Sequence, residues 1–195
     1  MPTLSILIPS THCRNGMLKG LLKTMGVDAV INNDITVFKL KYLEIIINVD
    51  SKEKTTGKKR NELIEAAKGK YFVFVDSDDY ISPEYIPLIL AAAETNPDVI
   101  CFNGWMTTKG ADRKDFEFNL HNPYAAITKN GKTIYLRFPN HLCPMKKELV
   151  KDFKFQDISF GEDYEWAFRI HEAKAFKTQA LIPNYIYHYQ YNPIK

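Results

Sequence analysis

Cysteine is scarce in this chain of 195 residues, and the three present, Cys13, Cys101 and Cys143, are scattered. No pair has metal-ligand spacing and no disulfide framework is implied, so a reducing, cytoplasmic compartment is the expectation. Long hydrophobic runs are missing as well. None approaches the roughly 20 residues that a bilayer span needs, and the N-terminus lacks the charged and apolar regions of a secretory leader. Work at a membrane is therefore expected to be peripheral or through a partner, and a viral source would place the protein in the host cytoplasm. Neither sign of charge has a large excess. The formal net charge of +3 does not by itself call for nucleic acid, and it is compatible with an anionic substrate such as a nucleotide diphosphate. No GxGxxG follows Pro9, and no GxxxxGK followed by Ser or Thr occurs anywhere. Dinucleotide binding of the Rossmann type and P-loop hydrolysis both lose their main signature. No internal repeat or low-complexity tract is visible.

What is present is the composition of an ordinary globular protein, 45% hydrophobic and 25% charged, long enough for a single domain with a sizeable core. The 12 Phe and 11 Tyr suit a ring-stacking surface or core packing equally. Buried strands are expected at Leu4 to Pro9, Leu43 to Val49, Tyr71 to Val75 and Asp98 to Trp105, because each is a short apolar run bounded by polar or turn residues. Helices are expected over Arg14 to Met25, Lys58 to Lys68 and Pro83 to Thr95, with another that follows Ser159-Phe160-Gly161-Glu162-Asp163 and runs through about Ala173, and a short one at Met145 to Asp152. Val27 to Val37 reads as a short strand pair around Asn32-Asn33-Asp34 or as an irregular loop. Asn130-Gly131 reads as a hairpin turn, and Tyr185 to Tyr189 as a last strand. The lysines 52, 54, 58 and 59 read as a solvated basic face.

The alternation of β and α with polar loops after each strand is that of a nucleotide-binding α/β sheet. Its chemistry concentrates in YFVFVDSDDY, Tyr71 to Tyr80, where a buried strand runs into Asp76, Asp78 and Asp79. Ligands of open α/β sheets bind at that carboxyl edge. Carboxylates so close raise one another's pKa unless positive charge sits among them, and a hard divalent cation is a natural neutraliser. The alternative is an Asp-rich turn in which Asp79 or Ser82 caps the next helix.

Four stretches together, LSILIPS, EIIINVDS, GKKRNELIEAAKGKYFVFVDSDDYISPEYI and FGEDYEWAFRI, resemble glycosyltransferase family 2 in order and spacing. The likeness covers roughly residues 1 to 105 and 140 to 175. It implies an α/β chain of GT-A, Rossmann-like fold, with a mixed, mainly parallel central sheet flanked by helices in a single domain. Residues 1–105 would form the half that binds the nucleotide sugar and 106–195 the acceptor half. It implies an inverting enzyme with a nucleotide-sugar donor, usually a UDP-sugar, and Mn²⁺ or Mg²⁺.

By position, the resemblance puts Pro9, Ser10 and Thr11 along the nucleotide, although Thr11 replaces the family's usual aromatic. Asp50 falls at the base-contacting acid, and Arg60-Asn61 at the Arg-Asn pair below the nucleotide. Asp76, Ser77 and Asp78 form the DxD motif, with Asp78 as the direct metal ligand and Asp76 on the ribose or on metal-bound water. Asp163 falls at the catalytic base, with Glu162 beside it. His188 is a candidate further metal ligand, against the alternative of a structural histidine. Trp105, His141 and Lys146 are candidate acceptor contacts. The acceptor itself stays open among a glycan, a lipid-linked saccharide, a protein and a modified nucleobase, as does the oligomeric state. Two rivals remain: an inactive nucleotide-sugar-binding module, and a phosphotransferase of the haloacid dehalogenase type, which would want Thr or Val where Tyr80 stands.

Overall fold

The computed structural model describes residues 1–28, 31 and 34–191. At its centre three parallel strands lie side by side. They are β1 (Leu4–Thr11), with β3 (Leu43–Asp50) on one flank and β4 (Tyr71–Phe74) on the other. Leu4 stands opposite both Leu43 and Tyr71, so the three strands end at one edge. All of β3 and β4 and all of β1 but Thr11 are buried, as their unbroken apolar runs require of strands covered on both faces. That common edge carries Thr11, Asp50 and the Asp76–Asp79 turn.

The sheet continues on both sides in the order β2-β3-β1-β4-β10-β6-β7-β9-β8. β2 (Asp34–Lys39) runs antiparallel on β3 and is largely exposed. Of the turn read at Asn32-Asn33-Asp34, the first two residues lie outside the described residues, and the strand that follows pairs with β3. On the far side, β10 (Met145–Lys146) joins β4 to β6 (Val99–Thr108) by antiparallel pairing. The helix expected over 145–152 shrinks to α4 (Lys147–Val150), because the fully buried Met145 is used as a strand residue between Phe72 and Val99. β7 (Ala111–Phe118) follows β6 through Lys109 and Gly110, both at positive φ. It was not foreseen, because its first half is polar and exposed. The hairpin of β8 (Ala125–Lys129) and β9 (Lys132–Arg137) turns at Asn130 and Gly131, whose φ values of 51° and 72° are those a two-residue turn with both residues left-handed needs.

Helices α1 (Asn15–Thr24), α2 (Thr56–Ala66), α3 (Tyr85–Glu94) and α5 (Glu162–Glu172) cover the sheet. α2 starts two residues earlier than expected because the Thr55 hydroxyl caps it, accepting from the Lys58 amide at 3.1 Å. Neither Asp79 nor Ser82 caps α3 with its side chain. The last strand, β11 (Gln179–Tyr191), is far longer than the stretch expected. It runs parallel to β6, with register shifts around Pro183, and also pairs with the two-residue β5 (Tyr80–Ile81). Among the described residues no helix is long and apolar enough to cross a membrane.

One close approach sets where α5 begins. The Gly57 amide donates to the Ile158 carbonyl at 3.0 Å, and a Cβ at Gly57 would fall 1.8 Å from the Gln156 carbonyl oxygen. That atom is backbone and has little room to yield. Gly57→Ala is therefore expected to destabilise the fold by about 1–3 kcal/mol, read as a lower urea midpoint with an unchanged slope.

Candidate active site

α2 presents three consecutive side chains to three parts of the chain. Lys59 is buried. Its ammonium donates to the Ser10 carbonyl at 2.8 Å and pairs with Asp50. It is therefore not part of a solvated basic face. Neither is Lys54, which pairs with Glu62 at 2.8 Å. Arg60 is buried against the rings of Phe74 and Phe155, 5.0 and 5.7 Å from their centroids. Its Nη2 donates to Asp76 Oδ1 at 3.1 Å, and its Nε lies 3.4 Å from Glu162 Oε1. Asn61 turns the other way and exchanges two hydrogen bonds with the Phe155 backbone, at 2.9 and 2.8 Å.

The aspartate turn is clamped from behind by β11. The Tyr187 hydroxyl accepts from the Asp76 amide at 3.3 Å and donates to Asp79 Oδ2 at 2.7 Å. The Gln190 amide donates to Asp79 Oδ1 at 2.8 Å, and its side chain donates to the Asp78 carbonyl at 2.8 Å. Asp79 thus ties the turn to the last strand, while Asp76 and Asp78 face an open cleft. In front, Arg14 reaches Asp78 Oδ1 at 3.0 Å.

That cleft has a volume of about 550 Å³ and is bounded by β1 (Pro9 to Thr11), Arg14, α2, Asp76, Asp78, residues 159–163 and the end of β11. Glu162 and Asp163 open α5 after Gly161, whose φ of 80° suits glycine. Glu162 is buried against Arg60, whereas the Asp163 side chain is 40% exposed. His141 stands between the two acidic groups, with Nε2 3.8 Å from Asp76 Oδ2 and Nδ1 3.7 Å from Asp163 Oδ2. On the other side of Asp163 lies a second, aromatic cavity of about 250 Å³, which shares Asp76, Asp163 and Tyr189 with the cleft.

The acids differ in charge balance. Burial alone would raise the Asp76 carboxyl, but Arg60, His141 and Arg14 outweigh it and hold it well below the usual carboxylate range. Asp78 moves the other way, pushed up by burial and by Asp76 against the pull of Arg14. Burial and Asp163 likewise raise Glu162, and burial with Asp76 raises Asp79. Asp78 is thus an oxygen donor on the cleft wall whose partner Arg14 does not offset its burial and the charge of Asp76. A hard divalent cation fits that environment, since such ions take one or two carboxylates and complete their shell with phosphate and water. Among the described residues no three His, Cys, Asp or Glu are grouped to hold a metal by themselves.

Several expected contacts lie elsewhere. His188 and Trp105 face each other across the β6–β11 ladder, stacked 5.0 Å apart, and His188 Nε2 is bonded to the Thr107 hydroxyl at 2.8 Å. His188 is thus held within the sheet, and Trp105 is stacked between it and Arg113. Lys146 pairs with Asp98 at 3.1 Å. Asn61 is committed to Phe155, and Ser77 is fully buried. Asp50 does not line the cleft; Lys59 and the amides of Lys52 and Lys54 surround its oxygens. Arg14, Tyr187 and Gln190 escaped the sequence reading, since an arginine in a polar loop and a tyrosine in a late strand carry no motif.

The family model described as Glycosyl transferase family 2 matches residues 32–180. EpsH of Bacillus subtilis (strain 168), which carries a glycosyltransferase name, is 43% identical over 47 residues, 24% of this chain and 14% of that protein. Among solved structures, residues 1-349 of S. aureus TarS in complex with UDP-GlcNAc match with a TM-score of 0.68 and 16% identity, over 100% of this chain and 60% of that one. The same segment in complex with UDP matches with a TM-score of 0.67 and 18% identity, over 99% and 61%. The chain thus spans about 60% of these solved chains and 14% of EpsH, and the structural likeness establishes a shared GT-A fold.

Two outcomes test the charge pairing. Arg60→Met removes the guanidinium that pairs with the half-buried Asp76 and the buried Glu162 and is expected to cost about 3–5 kcal/mol, measured by urea unfolding at neutral pH. Burial opposes ionisation of Asp50, but Lys59 and the two amides outweigh it and lower its pKa. A depressed carboxyl contributes stability that is present above its unfolded value, about 3.9, and is lost as pH falls through the folded value. Asp50→Asn is therefore expected to be less stable than wild type at pH 7, with the gap closing as the pH is taken below about 4, followed by unfolding at a series of pH values.

Proposed function

Because the chain belongs to glycosyltransferase family 2, we propose that it is a glycosyltransferase moving a sugar from a nucleotide-diphosphate sugar, a UDP-sugar by analogy with the ligands of TarS, to an acceptor hydroxyl with inversion. The observation that carries this reading is that Asp163, Asp78 and Arg14 face one cleft large enough for the donor. Asp163 is the accessible member of the late acidic pair. A general base must reach a proton on an incoming group, and the buried Glu162 is already spoken for by Arg60.

In this mechanism the nucleotide lies along Pro9 to Thr11 at the end of β1, and the diphosphate lies toward Arg14 and Asp78. Asp163 accepts the proton of the acceptor hydroxyl. The hydroxyl oxygen forms its bond to the anomeric carbon from the face opposite the leaving group, and the carbon–oxygen bond to the diphosphate breaks, with its electron pair going to the phosphate. Asp78, with Asp76 beside it, would hold Mn²⁺ or Mg²⁺, which when bound supplies charge neutralisation to the leaving diphosphate. Arg14, half-exposed on the wall of the cleft, adds a fixed positive charge there. Arg60 keeps Asp76 ionised from below, and Glu162 sets the entry of α5 so that the next residue, Asp163, opens to the cleft. Residues 1–105 then supply most of the donor site and 106–195 the acceptor wall, with the base on their boundary. The reading places the reaction in the cytoplasm.

The test is turnover and binding of a panel of nucleotide sugars with Mn²⁺ or EDTA. One donor is expected to turn over in a metal-dependent way. Asp163→Asn should retain donor binding and lose about 10²–10⁴-fold in turnover, while Asp78→Asn should lose donor binding. Binding of no nucleotide sugar with any metal overturns the reading, and metal-dependent binding that Asp163→Asn leaves equally active removes Asp163 from the base role.

A further inference from the structure

The aromatic cavity beside Asp163 holds a cation that forms no ion pair among the described residues. Its walls include Phe116, Phe118, Tyr124, Tyr135 and Arg137. The Arg137 guanidinium sits 3.9 Å from the Tyr124 ring centroid and 4.7 Å from that of Tyr135, and its Nη1 donates to the Ala125 and Leu136 carbonyls, both at 2.8 Å. These contacts fix the plane of the guanidinium. None of them satisfies its charge, and among the described residues Arg137 makes no salt bridge, whereas Arg14, Arg60, Arg113 and Arg169 each pair with a carboxylate. The acids on the cavity wall, Asp76 and Asp163, lie 3.8 and 3.7 Å from His141, and neither forms an ion pair with Arg137. A planar fork held in place beside an open cavity is suited to grip a carboxylate or phosphate through its remaining N–H groups. The cavity is smaller than the roughly 300–1,000 Å³ of a drug-sized ligand site, the scale of one sugar ring between aromatic walls.

Resting on the glycosyl-transfer reading, we propose that this cavity is the acceptor subsite and that it selects a sugar ring bearing an anionic substituent, a carboxylate or a phosphate, gripped by Arg137 while the ring hydroxyl meets Asp163. The shared wall residues support this. The reacting carbon lies in the cleft and the incoming hydroxyl comes from the cavity, and Asp163 stands on the partition.

The experiment measures binding of methyl glucuronide and methyl glucoside, a matched anionic and neutral ring, by ligand-observed NMR with the protein saturated with UDP and the diamagnetic Mg²⁺. Wild type is expected to bind the glucuronide about tenfold more tightly. Arg137→Gln should bring the two within about twofold of each other, and Arg137→Lys should keep part of the preference. Raising the salt from about 50 to 500 mM should weaken the glucuronide alone, a comparison that stands on wild type if a variant fails to fold. Equal binding of the two rings by wild type, or a preference that survives Arg137→Gln, overturns the proposal. So does a change on Arg137→Gln in discrimination between UDP-glucuronate and UDP-glucose, which would place the anion on the donor. Failure of UDP to bind at all would count against the glycosyl-transfer reading instead.

Discussion

A buried guanidinium is the constraint around which this molecule closes. Taking the Arg60 charge out of water costs several kcal/mol unless close carboxylates answer it. The two that do come from distant parts of the chain: Asp76 from the end of β4 and Glu162 from the first turn of α5. The rings of Phe74 and Phe155 close over its faces, which removes water from the pair and strengthens the attraction. The neighbours extend the arrangement. Lys59 ties the ends of β1 and β3, and Asn61 pins the segment ahead of α5. Three consecutive residues on one helix therefore set the relative positions of every segment that carries an acid of the cleft.

This arrangement sorts carboxylates that look alike in sequence. Asp76, Asp78 and Asp79 stand within four positions, yet one is held ionised by the buried Arg60, one meets only the half-exposed Arg14 at the front of the cleft, and one is turned back against β11. The charge balance follows from which element each side chain meets, because a strand end followed by a tight turn sends successive side chains in different directions. The same holds for the late pair, where the first turn of α5 puts Glu162 inward and Asp163 outward.

Much of this could be read ahead of the structure. The buried strands, α2, α5, the hairpin at Asn130-Gly131 and the GT-A sheet all follow from apolar runs, periodicity, turn residues and the resemblance, and the acids placed along the cleft are those the motif pattern named. The failures have a common cause. Periodicity gives the face of an element but not the neighbour it meets. Lys59 has the look of a solvated lysine because nothing local reveals that Asp50 waits across the gap. Trp105 and His188 become partners only through the pairing of β6 with β11, a parallel ladder between residues about eighty positions apart. Met145 has helical surroundings in sequence and strand surroundings in space. Arg14 carries no motif at all.

The long-range character of the site also bears on how it is held together. The front wall comes from β1 and the aspartate turn, but the floor is Arg60 with Glu162, and the back is Tyr187 and Gln190 of the last strand. None of these contacts is local, so the cleft exists only when the first and last thirds of the chain are docked. A motif such as Asp76-Ser77-Asp78 therefore does not define a site by itself. With β11 absent, Asp79 would lose both of its hydrogen-bond donors and the turn would have no reason to face Asp78 outward. The chemistry at the strand ends is in this sense a property of the closed sheet, with the donor cleft and the aromatic cavity on either side of Asp163 as the two openings that the closure leaves.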